Sequence, residues 1–87
     1  MLDEYVGEKV VVDLKSPYVC LGTLSRFDDR FIEMKAADFH DLRDTDTSRE
    51  NYVAASVMTG VKRNRKKVLL LREDVVAVSR LGDVSFD

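Results

Sequence analysis

LGTLSRFDDRFIEM, residues 21–34, decides how the rest of this chain is read. Tyr18 to Phe27 alternates imperfectly, with Val19, Leu21 and Thr23 on one face and Cys20, Gly22 and Leu24 on the other. A glycine inside such a run signals a bend or a close backbone approach, as when a sheet curls into a barrel. Asp28-Asp29-Arg30 is polar and turn-like. From Phe31 the pattern resumes, with Phe31, Glu33 and Lys35 alternating against Ile32, Met34 and Ala36. The stretch predicts a hairpin of two long strands.

Upstream, Leu2, Tyr5 and Val6 fall at helical spacing before Gly7, which predicts a short N-terminal helix lying against a sheet. Lys9 to Leu14 is rich in β-branched residues and predicts a strand, ended by the turn at Lys15-Ser16-Pro17. Downstream, Asp38 to Asp46 is polar. Thr47-Ser48-Arg49-Glu50 then has the Thr-x-x-Glu form, in which hydroxyl and carboxylate each satisfy a free backbone N–H. We expect a helix at about 48–59, with Val53 over Val57 and Ala54 over Met58, and a left-handed stop at Gly60 beside Val61. The valines and Tyr52 leave a strand open as the alternative. Val68–Leu71 and Val75–Val78 are short apolar runs without alternation, read as strands covered on both faces or as edges that pair with another subunit. The fold class expected is mainly β: a small, strongly bent five-stranded antiparallel sheet with two short helices, ending in a loose tail at 82–87.

An 87-residue chain with 45% hydrophobic and 34% charged residues has room for one core, so residues 1–87 are read as a single domain. Its one cysteine, Cys20, lies in an apolar stretch and precludes an intrachain disulfide, which points to a reducing, cytoplasmic setting and makes oligomerisation the expected source of extra stability. The N-terminus carries acids before any apolar stretch, and no apolar run approaches the ~20 residues of a membrane span, so no leader or membrane segment is expected.

The net charge is −2, yet VKRNRKK, residues 61–67, holds five basic side chains: Lys62, Arg63, Arg65, Lys66 and Lys67. These five leave nine basic residues against sixteen acids elsewhere. The run is either a phosphate contact, repeated in every subunit of an oligomer, or a charged flank that keeps the following apolar strand from aggregating. His40 with Asp38, Asp41 and Asp44 matches no defined metal spacing and reads as a solvated loop. Asp28 and Asp29 are expected to accept local backbone hydrogen bonds. Cys20 reads as a small buried apolar group. No Ser/His/Asp set, phosphate-cradling glycine loop or paired carboxylates stand out, so neither catalysis nor a metal or cofactor is expected.

The order helix, then five strands, with a glycine in the second and a short polar break between the last two, resembles the Sm/LSm family. LDEYVGEKVVVDL, residues 2–14, is similar to that family's opening helix and first strand. Gly22-Thr23-Leu24 followed by Asp29-Arg30-Phe31 has the spacing of its first motif, Gly-x-Leu…Asp-x-hydrophobic-Asn. Leu71-Arg72-Glu73-Asp74-Val75-Val76 sits where the second motif, Ile-Arg-Gly-x-x-Val, would fall. The resemblance covers residues 1–37 and 67–80.

It implies an Sm-like, SH3-like barrel that closes a homo-oligomeric ring of about five to seven subunits by pairing strand four of one copy with strand five of the next. Val68, Leu69, Leu70, Leu71, Val75, Val76 and Val78 are then the interface candidates. It also implies a pore-side uridine pocket at the positions of Asp29, Phe31, Ile32, Arg72 and Glu73. Here Ile32 replaces the family's Asn and Glu73 its Gly; Ile32 lacks an amide, Glu73 adds negative charge, and Glu73 or Asp74 would neutralise Arg72. The segment from about 38 to 66 reads as an insertion between strands three and four. The expected function is therefore a ring that binds single-stranded RNA through the basic run and Arg72. The competing reading is a homo-oligomeric protein-interaction scaffold without RNA.

Overall fold

The computed structural model describes residues 1–44 and 48–84. Five strands, β1 Lys9–Leu14, β2 Tyr18–Phe27, β3 Phe31–Asp41, β4 Arg65–Leu71 and β5 Val75–Arg80, form one sheet in the order β4-β3-β2-β1-β5. Every pairing is antiparallel. One helix, α1 Arg49–Thr59, lies between β3 and β4.

The bend starts where the sequence placed the glycine. Leu21 pairs with Asp38 and Thr23 with Lys35, so Ala36 and Ala37 together oppose Gly22. Ala36 takes φ 49°, a conformation that costs a non-glycine residue free energy and kinks the strand. A Cβ on Gly22 would stand 2.9 Å from Ala37 Cα and 3.0 Å from the Lys35 carbonyl oxygen. Only a glycine lets β2 close onto the bulge.

Curling gives the sheet an inner core of Val10, Val12, Leu14, Cys20, Leu24, Ile32, Met34, Ala37 and Leu70. On the outer face of β1 and β2, Val11, Val19 and Leu21 meet Val53 of α1, with Tyr52, Val57 and Val61 around them. The alternating faces of residues 19–24 are thus both covered, one by the barrel and one by the helix. Ser48 caps α1, its Oγ accepting from Asn51 N–H at 3.2 Å. The expected cap Thr47 lies outside the described residues. Gly60 ends the helix at φ 91°, ψ 164°, positive in φ but more extended than a left-handed turn.

Several boundaries differ from the sequence reading. The N-terminal helix is a single 3-10 turn, Leu2–Tyr5. Gly7 N–H donates to Leu24 C=O at 2.8 Å and Leu24 N–H to Glu8 C=O at 3.0 Å, so pairing to β2 claims the chain before another turn forms. Leu2 and Tyr5 pack on the core, whereas Val6 is exposed. Asp38–Asp41, read as loop, belong to β3, and Arg65–Lys67 of the basic run belong to β4. The last two strands are not covered on both faces in the single chain: Leu69 is 55% exposed, Leu71 40% and Val76 65%. Leu81–Asp83 form a 3-10 turn, with Leu81 and Val84 packed on the outer cluster, and residues 85–87 lie outside the described residues.

Candidate nucleic-acid interface

At one end of the barrel the β2–β3 turn and the β4–β5 turn are joined. Asp28 Oδ1 accepts from Arg30 N–H at 2.8 Å and Phe31 N–H at 2.7 Å, and these two bonds hold its carboxyl below the usual range. Arg72 N–H donates to Arg30 C=O at 2.9 Å, and the Arg72 guanidinium donates to Asp28 C=O at 2.6 Å while standing 5.6 Å from the Phe27 ring centroid. Asp29, Arg30, Leu71 and Glu73 line a shallow cleft of about 140 Å³ there.

Of the positions the resemblance pointed to, Asp29 and Glu73 border this cleft, Arg72 ties its two turns together, and Phe31 is half-buried under Arg30 at 5.9 Å. Ile32 is 1% exposed and packs in the core, so it does not face the cleft. Nor do Glu73 or Asp74 neutralise Arg72; its partners are the Asp28 carbonyl and an aromatic face. Asp28 accepts the local backbone bonds expected of it, whereas Phe27 and Arg30 were missed because the motif spacing gave weight to Asp29. The Asp-x-Arg-Phe spacing of an Asx-type turn was the available signal.

The basic run occupies the opposite end of β4. All five side chains are exposed, Lys62 and Arg63 on the loop and Arg65, Lys66 and Lys67 on the strand. Lys67 stands beside Lys35 across the β3–β4 ladder and contacts Glu33 at 3.7 Å. Glu33 is 4% exposed and also receives Arg26 Nε at 3.2 Å. Burial pushes its carboxyl up, but Ser25, Arg26 and Lys67 outweigh that and hold it below the ordinary value. Arg63, Asn64, Arg65 and Lys66 line a groove of about 500 Å³ with Lys35 and Ala36.

Asp38, His40 and Asp41, expected in a solvated loop, lie on β3 and pack against neighbouring side chains. Asp38 accepts from the Tyr52 hydroxyl and, at 3.0 Å, from Asn64 Nδ2. Burial first, then the Asp38 contact, pushes the Tyr52 hydroxyl pKa well above its ordinary value. His40 stacks on Tyr52 with centroids 4.2 Å apart, and Asp41 pairs with Arg43 at 2.8 Å. Cys20 is fully buried, and burial, followed by the nearby Asp38 charge, pushes its thiol up to about 12. Among the described residues no group of three or more potential ligands is placed to hold a metal, and no helix is long and apolar enough to cross a membrane.

No protein-family model matches the chain, and no curated protein sequence does. Solved structures do match it. A Pyrococcus abyssii Sm protein in complex with a uridine heptamer has a TM-score of 0.62 at 17% identity, over 91% of this chain and 90% of that one. An Sm-like protein from Archaeoglobus fulgidus has a TM-score of 0.62 at 17% identity, over 92% and 88%. A heptameric archaeal Sm protein has a TM-score of 0.60 at 19% identity, over 91% and 93%. With five antiparallel strands bent at Gly22 and the two turns joined through Arg72, this chain has the Sm-like fold.

Proposed function

We propose that this chain assembles into a closed homo-oligomeric ring that binds single-stranded RNA as part of a ribonucleoprotein, acting by assembly rather than catalysis. The observation that carries this reading is the sheet order. β4 and β5 are the two outer strands, each paired on one side only among the described residues, and they display Leu69, Leu71 and Val76 to solvent. Two complementary open edges on one small barrel favour head-to-tail pairing, and a rotation that closes removes every free edge. The apolar residues Val68, Leu70, Val75 and Val78 hold these strands onto the core from behind.

The structural neighbours support the same reading: one is heptameric and another was solved with a uridine heptamer. We take RNA to meet this chain at Arg72 and at Lys62, Arg63, Arg65, Lys66 and Lys67. Residues 42–64, which carry α1, are the part of this single domain that individualises it. The buried, unpaired Cys20 suits a reducing cytoplasm.

Light scattering coupled to size exclusion tests the ring, with a closed oligomer of about five to seven subunits expected. A monomer at micromolar concentration overturns it. Titration of short single-stranded RNA at two salt concentrations tests binding, which weakens as salt rises. A ring that binds no RNA at low salt leaves the scaffold reading in its place.

A further inference from the structure

The groove at the start of β4 has a built floor and charged walls. Asn64 is fixed on every side: its N–H donates to Ala37 C=O at 2.9 Å, its Oδ1 accepts from Phe39 N–H at 2.9 Å, and its Nδ2 donates to Phe39 C=O at 3.1 Å and Asp38 Oδ1 at 3.0 Å. One amide side chain thereby ties residues 63–65 to β3 where the ladder ends. The floor is the Ala36 bulge, backed by the close Gly22–Ala37 contact.

The walls are Lys35, Arg63, Arg65 and Lys66. Lys67 and Arg26 share Glu33, Arg43 has Asp41 and Arg49 has Asp13, but these four wall cations make no ion pair among the described residues. Arg65 donates only to the neighbouring Asn64 carbonyl, at 3.1 Å. Four cations around one concavity, without an ion pair among the described residues, raise the local positive potential and favour an anion there. No aromatic ring lines the groove, so it offers charge and N–H donors but no platform for a base.

We propose that this groove binds the phosphodiester backbone of a single strand, without regard to sequence, as a site separate from the turn cleft at Arg72. β4 spans seven residues between the two, about 20 Å at the usual rise per residue. One protomer therefore holds a strand at both ends of β4: by its phosphates at the groove and at the joined turns beyond Leu71. The inference rests on the RNA reading above and specifies its chemistry. It adds Lys35 to the candidates and places Lys67, which lies 3.7 Å from Glu33, outside the groove itself.

The test is fluorescence titration of the assembled protein with labelled single-stranded oligouridine, oligoadenine and oligothymidine DNA, from 50 mM to 300 mM salt. Wild type is compared with Arg63→Gln/Lys66→Gln and with a control of equal charge loss outside the basic run, Lys15→Gln/Arg43→Gln. All four substituted side chains are exposed, and circular dichroism verifies the fold. Each lost phosphate contact lowers the single-strand salt slope by about 0.7, so the groove variant is expected to lose about tenfold or more in affinity near 0.1 M salt. The loss is expected to be equal for all three strands, with the control within about twofold of wild type. Tight wild-type binding that the groove variant leaves unchanged overturns the groove and leaves the RNA reading standing. A preference for one base that the variant abolishes overturns backbone recognition. Absence of wild-type binding at 50 mM salt overturns both.

Discussion

Arg72 donates to the Asp28 carbonyl at 2.6 Å across the gap between the β4–β5 and β2–β3 turns. Residues forty-four positions apart are thereby locked at one end of the barrel, with Phe27 beneath the guanidinium. Arg72→Ala removes a charged donor from an exposed bond and costs about 1 kcal/mol of stability. Hydrogen exchange is expected to report it locally, as faster exchange of the residue 72 amide that donates to Arg30 C=O. An unchanged rate would mean the backbone bond alone holds the turns.

Leu69 presents an exposed apolar side chain on the outer strand β4. Leu69→Lys places a charge on that edge while leaving the buried Leu70 untouched. The expected outcome is a fall in mass by light scattering, toward monomer at micromolar concentration, with the circular dichroism spectrum retained. An intact oligomer would place the subunit contact elsewhere.

Gly22→Ala drives a Cβ to 2.9 Å from the Ala37 backbone. The bulge has to shift, at a cost of about 1–3 kcal/mol. Chemical denaturation of the two proteins measures this. Gly82→Ala serves as the comparison, because nothing lies within 4 Å of a Cβ there, and it is expected to be nearly neutral.

Tyr52→Phe removes the hydroxyl that α1 donates to the buried Asp38. Asp38 keeps Asn64, so the loss is partial, about 1–3 kcal/mol. Asp38→Ala/Tyr52→Phe measured beside both single variants isolates the coupling, expected to be non-additive.

Arg43 holds the Asp41 carboxyl at about 2 against an ordinary value of 3.8, through a side-chain hydrogen bond and then a backbone one. A carboxyl depressed in the folded state stabilises fully above 3.8 and loses that contribution as pH falls toward 2. Asp41→Asn is therefore expected to melt below wild type near pH 6, with the difference shrinking through that window and gone at its lower end. A constant difference across the acid range would remove the charge from the account.

The β2–β3 hairpin was legible because both its strands alternate around a glycine and a polar turn. The full length of β3 was not. Asp38, His40 and Asp41 look like loop residues until Tyr52, Asn64 and Arg43 satisfy or stack against them, and Tyr52 and Asn64 come from distant segments. The motif match led to Ile32 as a pocket position, whereas its side chain turns inward beside Met34 and Leu70. In the basic run, spacing could not distinguish Lys67, bound to Glu33, from Arg63 and Lys66, which face the groove with Lys35.

By itself the sequence pointed to five strands and the place of the bend, and it favoured a helix over a sixth strand before the basic run. These follow from local alternation, glycine's missing Cβ and helical spacing, all properties of neighbouring residues. Only the tertiary structure decided which charges are spent on one another and which remain free. It also left the β4 and β5 edges open and brought Arg72 to Asp28. Charge pairing and edge exposure depend on distances across the sheet, which antiparallel register and the Ala36 bulge set and which linear spacing does not encode.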